Sequence, residues 1–334
     1  MAPPDLLPRG QAPRKHSARV ARVLGLLGPF LGLVLVVGLF TAITPGNFLS
    51  GYNVATILTQ TVIVALGAIG MTFVIVSGGI DLSVGSVVAL AAVITAVLLR
   101  DGHPPVLAMA GGASAGALIG LVNGSIVAGA GIPSFIVTLG TMGIARGTAK
   151  YFAEEQKVDA PASWVAELMT KTPEPSWLIF APGVWMTVIL AVAMSLVLQR
   201  SVFGTHTFAV GSNEATARLC GVRVKRTKVI VFTLAGLFAG LAGVMDFARL
   251  TVGDPTTAIG KELAVIAAVV IGGASLNGGS GSILGSIIGA LLMAVLASGC
   301  TQTGVPTYVQ EILVGFIIIA AVALDRLRHR APQT

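Results

Sequence analysis

Apolar residues along the chain form long runs separated by short polar segments. A helix needs about 20 apolar residues to cross the hydrocarbon of a bilayer. By that measure the runs predict about ten spans, at roughly 24–44, 54–76, 83–99, 106–127, 133–150, 179–199, 228–247, 261–275, 282–299 and 309–325. The pattern therefore predicts an all-α fold, a polytopic transmembrane helix bundle.

The composition supports a membrane protein. Charged residues make up only 10% of the chain and hydrophobic residues 54%, whereas soluble domains carry about 25% charged residues. Glycines recur every four residues in several runs, as at Gly112, Gly116, Gly120 and Gly124. Such spacing lets membrane helices approach closely. A hydrolase-like pattern around Ser114 falls inside this glycine series, and helix packing is its simpler interpretation.

The basic residues concentrate in three short clusters. They are Arg9, Arg14, Lys15, Arg19 and Arg22; Arg200, Arg218, Arg223, Lys225, Arg226 and Lys228; and Arg326, Arg328 and Arg330. Positive charges beside apolar spans mark cytoplasmic segments, so both termini are predicted to be cytoplasmic. No compact basic domain remains to bind nucleic acid.

These clusters divide the chain into three parts. A basic cytoplasmic tail is expected at 1–23, a transmembrane domain at 24–326, and a second basic cytoplasmic tail at 327–334. Within the transmembrane domain, residues 200–227 form a predicted cytoplasmic loop and residues 151–178 an acidic outer loop.

One polar motif interrupts the second and third spans. Gly78 and Gly79 end a span, and Asp81 or Ser83 can cap the next helix by accepting backbone N–H bonds. A tight turn explains this pattern. A broken helix that lines a pathway explains it as well, since irregular backbone is tolerated where it borders a cavity.

A second motif lies in the loop that ends at Gly221. Ser212 or Asn213 can cap a short helix with Glu214 in its first turn, where the helix dipole favours an acid. Gly221 can end this helix. The helix could lie on the membrane or insert into a groove of a partner protein.

The two motifs carry a family resemblance. The stretch from Gly79 to Ser86 resembles a signature of ribose/xylose/arabinose-type permeases of ATP-binding-cassette importers, the branched-chain amino acid/ribose permease family. The stretch from Gly211 to Gly221 is similar to that family's coupling loop. Further similar segments follow in family order through Gly272 and Gly273, and the resemblance covers roughly 45–326. The basic N-terminal tail and the acidic outer loop depart from it, which leaves the sugar open.

The resemblance implies a permease subunit in a bacterial inner membrane that translocates a ribose- or xylose-like monosaccharide. An extracytoplasmic sugar-binding protein would deliver the sugar, and a second permease subunit, identical or not, would complete the pathway. A separate ATPase would bind ATP and Mg, so this chain is expected to be no enzyme and to bind no cofactor or metal.

The resemblance also assigns residues to roles. It implies ATPase coupling for Asn213, Glu214, Ala215, Arg218, Leu219 and Gly221. It implies helix breaks beside the pathway for Gly78, Gly79, Asp81, Ser83, Gly85, Gly272 and Gly273. Polar residues inside spans are costly and hence functional candidates, and with nearby aromatics they give a substrate-pathway set of Gln60, Thr61, Phe73, Asn123, Phe135 and Thr138.

Other transport functions stay open at this stage. An ATP-independent secondary transporter or channel would also be a polytopic helix bundle, although Asp246, Glu262 and Glu311 fall near predicted span ends. Within the importer class, the solute could be a nucleoside, an amino acid or a signalling furanone.

Overall fold

The computed structural model describes residues 15–330. The remaining parts of both predicted basic tails, including Arg9 and Arg14, lie outside the described residues. The first helix already begins at Lys15, inside the predicted N-terminal tail, and the last runs to Arg330, inside the predicted C-terminal tail.

Helices form most of the described chain. They are α1 (Lys15–Ile43), α2 (Gly51–Val76), α3 (Val84–Arg100), α4 (Pro105–Ala130), α5 (Ser134–Phe152), α6 (Pro182–Arg200), α7 (Val202–Ser212), α8 (Glu214–Leu219), α9 (Val224–Leu250), α10 (Lys261–Ile271), α11 (Ile283–Gln302) and α12 (Thr307–Arg330). The loop between α5 and α6 holds two 3₁₀ turns, Trp164–Met169 and Ser176–Leu178. Strands β1 (Val158–Asp159) and β2 (Val252–Gly253) form one short antiparallel pair.

The helical fold class is confirmed, and each predicted span overlaps a helix. Within the described residues, five helices are long and apolar enough to cross a membrane, namely α2, α4, α6, α9 and α11. The count of ten spans and the side that each terminus faces stay predictions. The predicted loop at 200–227 contains α7 as well as the expected short helix, and α10 ends four residues before the predicted boundary at 275.

Helix α2 lies at the centre of the bundle. Every residue from Thr61 to Val76 is buried, and the helix packs against α9, α11, α10, α6 and α7. A helix that is apolar on all sides is stable only when other helices surround it. The long apolar run of α2 therefore fixes its central position.

Glycines allow α4 and α9 to pack backbone against backbone. A Cβ built on Gly116 would lie 2.7 Å from Gly240 Cα, and one built on Gly236 would lie 2.8 Å from Gly120 Cα. Neither distance leaves room for a side chain. The close approach predicted from the glycine spacing is confirmed for this helix pair.

The bundle has two ends, which we name by their contents. The α8 end contains α7, α8 and the last residues of α2. There Gly279 N–H donates to O of Val76, the last residue of α2, at 2.9 Å, and Gly211 of α7 packs on the same carbonyl. The strand end contains β1, β2 and the first residues of α2, where Lys171 Nζ donates to the Tyr52 hydroxyl at 2.9 Å. Helix α9 runs from one end to the other.

Replacing Gly116 tests the packing of α4 against α9. Because its Cβ would meet the backbone of α9, Gly116→Ala should lower the free energy of unfolding by about 1–3 kcal/mol. The measurement is thermal unfolding of the detergent-purified chain. Gly140 lies on α5 with nothing within 4 Å of a built Cβ, so Gly140→Ala is the control and should be neutral. Equal melting temperatures for both variants would contradict the packing argument.

Candidate functional site

The chain breaks between α2 and α3. Gly78 has a left-handed φ of +81°, which only glycine adopts without strain. Gly79 turns back, with its N–H donating to Val74 O at 2.9 Å. A Cβ on Gly79 would lie 3.2 Å from Phe232 Cζ and from Val74 Cγ1. Gly78 is therefore required by its positive φ, and Gly79 by the lack of space for a side chain.

Side chains of helix α5 satisfy part of the broken backbone. Ile80 N–H donates to Ser134 Oγ and Leu82 N–H to Thr138 Oγ1, each at 3.0 Å. Ser83 N–H donates to Asp81 Oδ1 at 2.8 Å, which fixes the residue just before α3. Ser83 is the N-cap of α3 by position, but its side chain makes no capping bond to that helix.

The Ser83 hydroxyl instead joins a buried polar cluster. It donates to Asp81 Oδ1 at 2.6 Å and accepts from Asn123 Nδ2 at 3.1 Å. Asp81, Ser83 and Asn123 are each at most 2% exposed. Buried polar groups retain a fixed geometry when they bond to one another. This cluster holds the first turn of α3 against α4.

A second break precedes α10. The loop from 254 to 260 enters the helix through Gly260, whose φ is +78°. Arg146 Nη1 donates to the carbonyls of Pro255 and Thr257 at 2.7 Å each. The Thr257 hydroxyl donates to Asp246 Oδ2 at 2.7 Å, and Asp246 Oδ1 pairs with Arg249 Nη2 at 2.8 Å. Cations and one buried carboxylate thus fix the loop.

Asp254 fixes the start of the same loop. Partial burial raises the pKa of Asp254, but hydrogen bonds from Thr256 and the nearby Lys157 ammonium outweigh it and hold that pKa below its usual value. Asp254 Oδ1 accepts the Thr256 N–H at 2.8 Å, and Lys157 Nζ lies 3.4 Å from Oδ2. Lys157 thereby links the outer-loop segment to this loop.

The two breaks meet in the middle of the bundle. The Glu262 carboxylate and the Ala258 carbonyl lie against the first turn of α3, where a Cβ on Gly85 would be 2.6 Å from Ala258 O. At its other end α10 stops at Ile271, and Gly272 packs on the backbone of Gly285. Gly273 follows with a φ of +94°.

Two cavities flank these breaks. The Lys228 cavity, about 540 Å³, opens at the α8 end and is lined by residues 77–80, residues 127–135 and the side chains of Glu214, Arg218, Lys225 and Lys228. The Gln60 cavity, about 390 Å³, lies between α2, α10, α11 and α12 and is lined by Gln60, Lys261, Glu262, Gln310 and Glu311 among others. Both volumes suit a small polar molecule.

Helix α8 is a separate feature at the α8 end. Asn213 Oδ1 accepts the Thr216 N–H at 2.9 Å, which confirms Asn213 as its cap. Glu214 pairs with Arg218 at 2.8 Å and with Lys228 Nζ at 2.6 Å. The second pair ties α8 to α9. The Leu219 side chain is 88% exposed, and Gly221 ends the turn at a φ of +85°.

Residues 53–322 match a family described as the branched-chain amino acid transport system / permease component. The chain belongs to this family. The permease is 38% identical to the ribose import permease protein RbsC of Bacillus subtilis (strain 168) over 91% of its own length and 94% of the relative's. It is 37% identical to the L-arabinose ABC transporter permease protein AraH of Azospirillum brasilense, over 95% and 92%.

A third relative is similar over an equal length. The D-allose transport system permease protein AlsC of Escherichia coli (strain K12) is 35% identical, over 96% of the permease and 97% of the relative. No solved structure matches the chain.

The pathway residues predicted from sequence do not form one site in the permease. Gln60 lines the Gln60 cavity and Phe135 the Lys228 cavity. Asn123 and Thr138 hold the first break. The two remaining residues have local roles: the Thr61 hydroxyl bonds Ile57 O at 2.7 Å, and the buried Phe73 ring stacks on Phe203 at 5.7 Å.

Sequence reasoning missed several partners of these residues. Ser134, Arg146 and Thr257 hold the breaks, and Lys228 holds α8. Arg146 gave the only available signal, as a charged residue inside a predicted span. In the part of the chain that the structure describes, no group of three His, Cys, Asp or Glu side chains could hold a metal ion.

Replacing Thr138 tests how the first break is held. Thr138→Val keeps the shape but leaves the partly buried Leu82 N–H without its acceptor, which should lower the free energy of unfolding by about 1–3 kcal/mol. Thr148 lies on the same helix and bonds only to Ile144 O one turn before it, so Thr148→Val is the matched control. Thermal unfolding in detergent measures both. A neutral Thr138→Val would show that the break does not depend on this bond.

Proposed function

We propose that the chain is the membrane-spanning permease subunit of an ATP-binding-cassette importer for a monosaccharide. One observation carries this proposal: relatives 35–38% identical over about nine-tenths of the chain are named as permeases for ribose, L-arabinose and D-allose. The family description also names branched-chain amino acids. The sugar relatives favour a sugar over an amino acid as the solute.

The geometry of the bundle supports a transport role. Glu262, which meets Gly85, lines the Gln60 cavity, and residues 77–80, shortly before that turn, line the Lys228 cavity. Broken helices whose irregular backbone borders a cavity are a recurrent feature of transport pathways. In this proposal the sugar enters through the Gln60 cavity and leaves through the Lys228 cavity, and the contact between Glu262 and the first turn of α3 separates them.

Helix α8 is the proposed contact for a separate ATPase that binds ATP and Mg. It presents the exposed Leu219 side chain beside the charged pair of Glu214 and Arg218. An exposed leucine next to charges is suited to a groove in a partner protein. The remaining partners are a second permease subunit and an extracytoplasmic sugar-binding protein, and the location is a bacterial inner membrane.

The proposed orientation places the α8 end in the cytoplasm. Cys220 is exposed at that end and Cys300 is buried. An impermeant thiol reagent should therefore leave the native chain unlabelled in intact cells and label it after permeabilisation. Asp159→Cys in a Cys220→Ser background places one exposed thiol at the strand end and should react in intact cells. Labelling of Cys220 from outside would overturn the orientation.

Replacing Leu219 tests the coupling role and the ATP dependence together. Leu219→Glu puts a charge on the exposed face of α8 and removes no contact that stabilises the chain. We expect normal abundance in the membrane, loss of ATPase co-purification, and loss of ATP-dependent accumulation of D-ribose, L-arabinose or D-allose in vesicles that contain the complete importer. Tyr308 is 66% exposed at the strand end, so Tyr308→Glu is the control and should keep the ATPase bound.

Two results would contradict the proposal. Sugar accumulation that needs no ATP would favour a secondary transporter. ATPase co-purification that survives Leu219→Glu would show that α8 is not the contact.

A further inference from the structure

Four of the polar side chains that line the Gln60 cavity make no hydrogen bond to the described part of the protein. Among the side chains that the structure describes, Gln60, Lys261, Glu262 and Glu311 have no hydrogen-bond partner. Glu262 interacts at longer range with Arg146, and Lys261 with Asp246 and Arg249. Other polar side chains inside the bundle, such as Thr61 and Thr138, are hydrogen-bonded. Gln60, Lys261 and Glu262 are only partly exposed, and polar groups inside spans are functional candidates, so these side chains can bond a molecule in the cavity.

The chemistry of the lining fits a molecule with many hydroxyl groups. The Gln60 amide can both donate and accept, the two carboxylates accept, and the Lys261 ammonium donates. A hydroxyl group also donates and accepts. Apart from Thr307 and Gln310, the rest of the wall is apolar, with Val64, Met293 and Val314 among its residues. A sugar ring has the same division, because hydroxyls surround its edge and C–H groups cover its faces.

The cavity has no aromatic residue among those that line it. A flat aromatic ring adds a large rigid contact area for a ligand. Without one, binding rests on hydrogen bonds that replace bonds to water and contribute little net affinity. This is the property expected of a transit site, which must release the molecule after each cycle.

The position of the cavity also suits a transit site. Thr307 and Gln310 lie at its rim, at the first turns of α12 near the strand end, and Gln60 lies more than two turns inside α2. Glu262 lines the cavity and also contacts the first turn of α3, and residues 77–80, just before that helix, line the Lys228 cavity. In the Gln60 cavity, a molecule would therefore be separated from the first turn of α3 only by the Glu262 side chain.

We propose that the Gln60 cavity is a low-affinity transit site for a monosaccharide, in which Gln60, Glu262 and Glu311 bond the sugar hydroxyls. This assignment rests on the proposed function for the choice of a sugar. A zwitterionic amino acid is the competing occupant, because Lys261 and either carboxylate could pair with its two charges.

Protection of an introduced thiol tests occupancy directly. In a Cys220→Ser background, Thr307→Cys places a thiol at the rim of the cavity, and Tyr308→Cys places one on the same turn outside it. The purified full chain in lipid nanodiscs is treated with a small thiosulfonate reagent. We expect D-ribose, L-arabinose or D-allose to slow the reaction at position 307 at least about threefold and to leave position 308 unchanged. L-Leucine should not slow either reaction.

Ala297→Cys repeats the test from the α11 wall of the cavity, in case the rim variant does not fold. Protection by L-leucine without protection by any sugar would overturn the assignment. The assignment would also be overturned if sugars protected neither Thr307→Cys nor Ala297→Cys.

Transport kinetics provide a second test. Gln60→Leu keeps the size of the side chain and removes its hydrogen-bonding groups. The maximal rate of sugar uptake should fall about three- to tenfold, with normal ATPase co-purification and unchanged thermal stability. Gln199 is an exposed glutamine on α6, so Gln199→Leu is the matched control and should transport normally.

The outcomes separate the two proposals. If the native importer accumulates sugar but Gln60→Leu is fully active and no sugar protects Thr307→Cys, only the transit site is wrong. If the native importer accumulates none of the three sugars, the proposed function fails and the sugar assignment fails with it.

Discussion

The structure depends on satisfying backbone N–H and C=O groups where the helices break. Water is not available to these groups inside a bilayer, so partners must come from the protein. At the first break the partners are the hydroxyls of Ser134 and Thr138 and the carboxylate of Asp81. At the second break the Arg146 guanidinium alone donates hydrogen bonds to two backbone carbonyls. Helix α5 supplies three of these four residues, so its position determines whether both breaks can exist.

Close packing brings these partners within reach. Side chains as short as serine and threonine bond another helix only when the two backbones are near each other. Gly112 of α4 packs on the backbone of Ala91 in α3, and Asn123 of α4 reaches Ser83 beside that helix. The apolar composition drives the chain into the membrane, while the small residues decide where polar groups can meet.

The sequence contained enough information for the helices and for the local part of the site. Long apolar runs located every predicted span, and Asn213, Glu214 and Gly221 defined α8 because caps and turns are local. Helix α7 was missed, since its residues alternate small, polar and aromatic types without a helical apolar stripe. Helix α10 was predicted too long because Gly272 and Gly273 do not interrupt hydropathy, although they stop the helix.

The site itself could be predicted only in part. Asn123 and Thr138 were predicted to line the pathway because they are polar residues in spans, and in the structure they bond backbone and side chains 40 to 58 residues away. Pairings at such separations follow from packing, and a single sequence does not encode them in any local pattern. The same holds for Lys228, which reaches Glu214 from the next helix.

The ion pair between Lys228 and Glu214 has a mechanical consequence. It attaches α8 to the first turns of α9, a continuous helix of 27 residues that is about 40 Å long. The far end of α9 holds the loop before α10 through Asp246 and Thr257. Helix α9 is thus the element shared by α8 at one end and by the loop before α10 at the other. A shift of α9 along its own axis would therefore displace both contacts together.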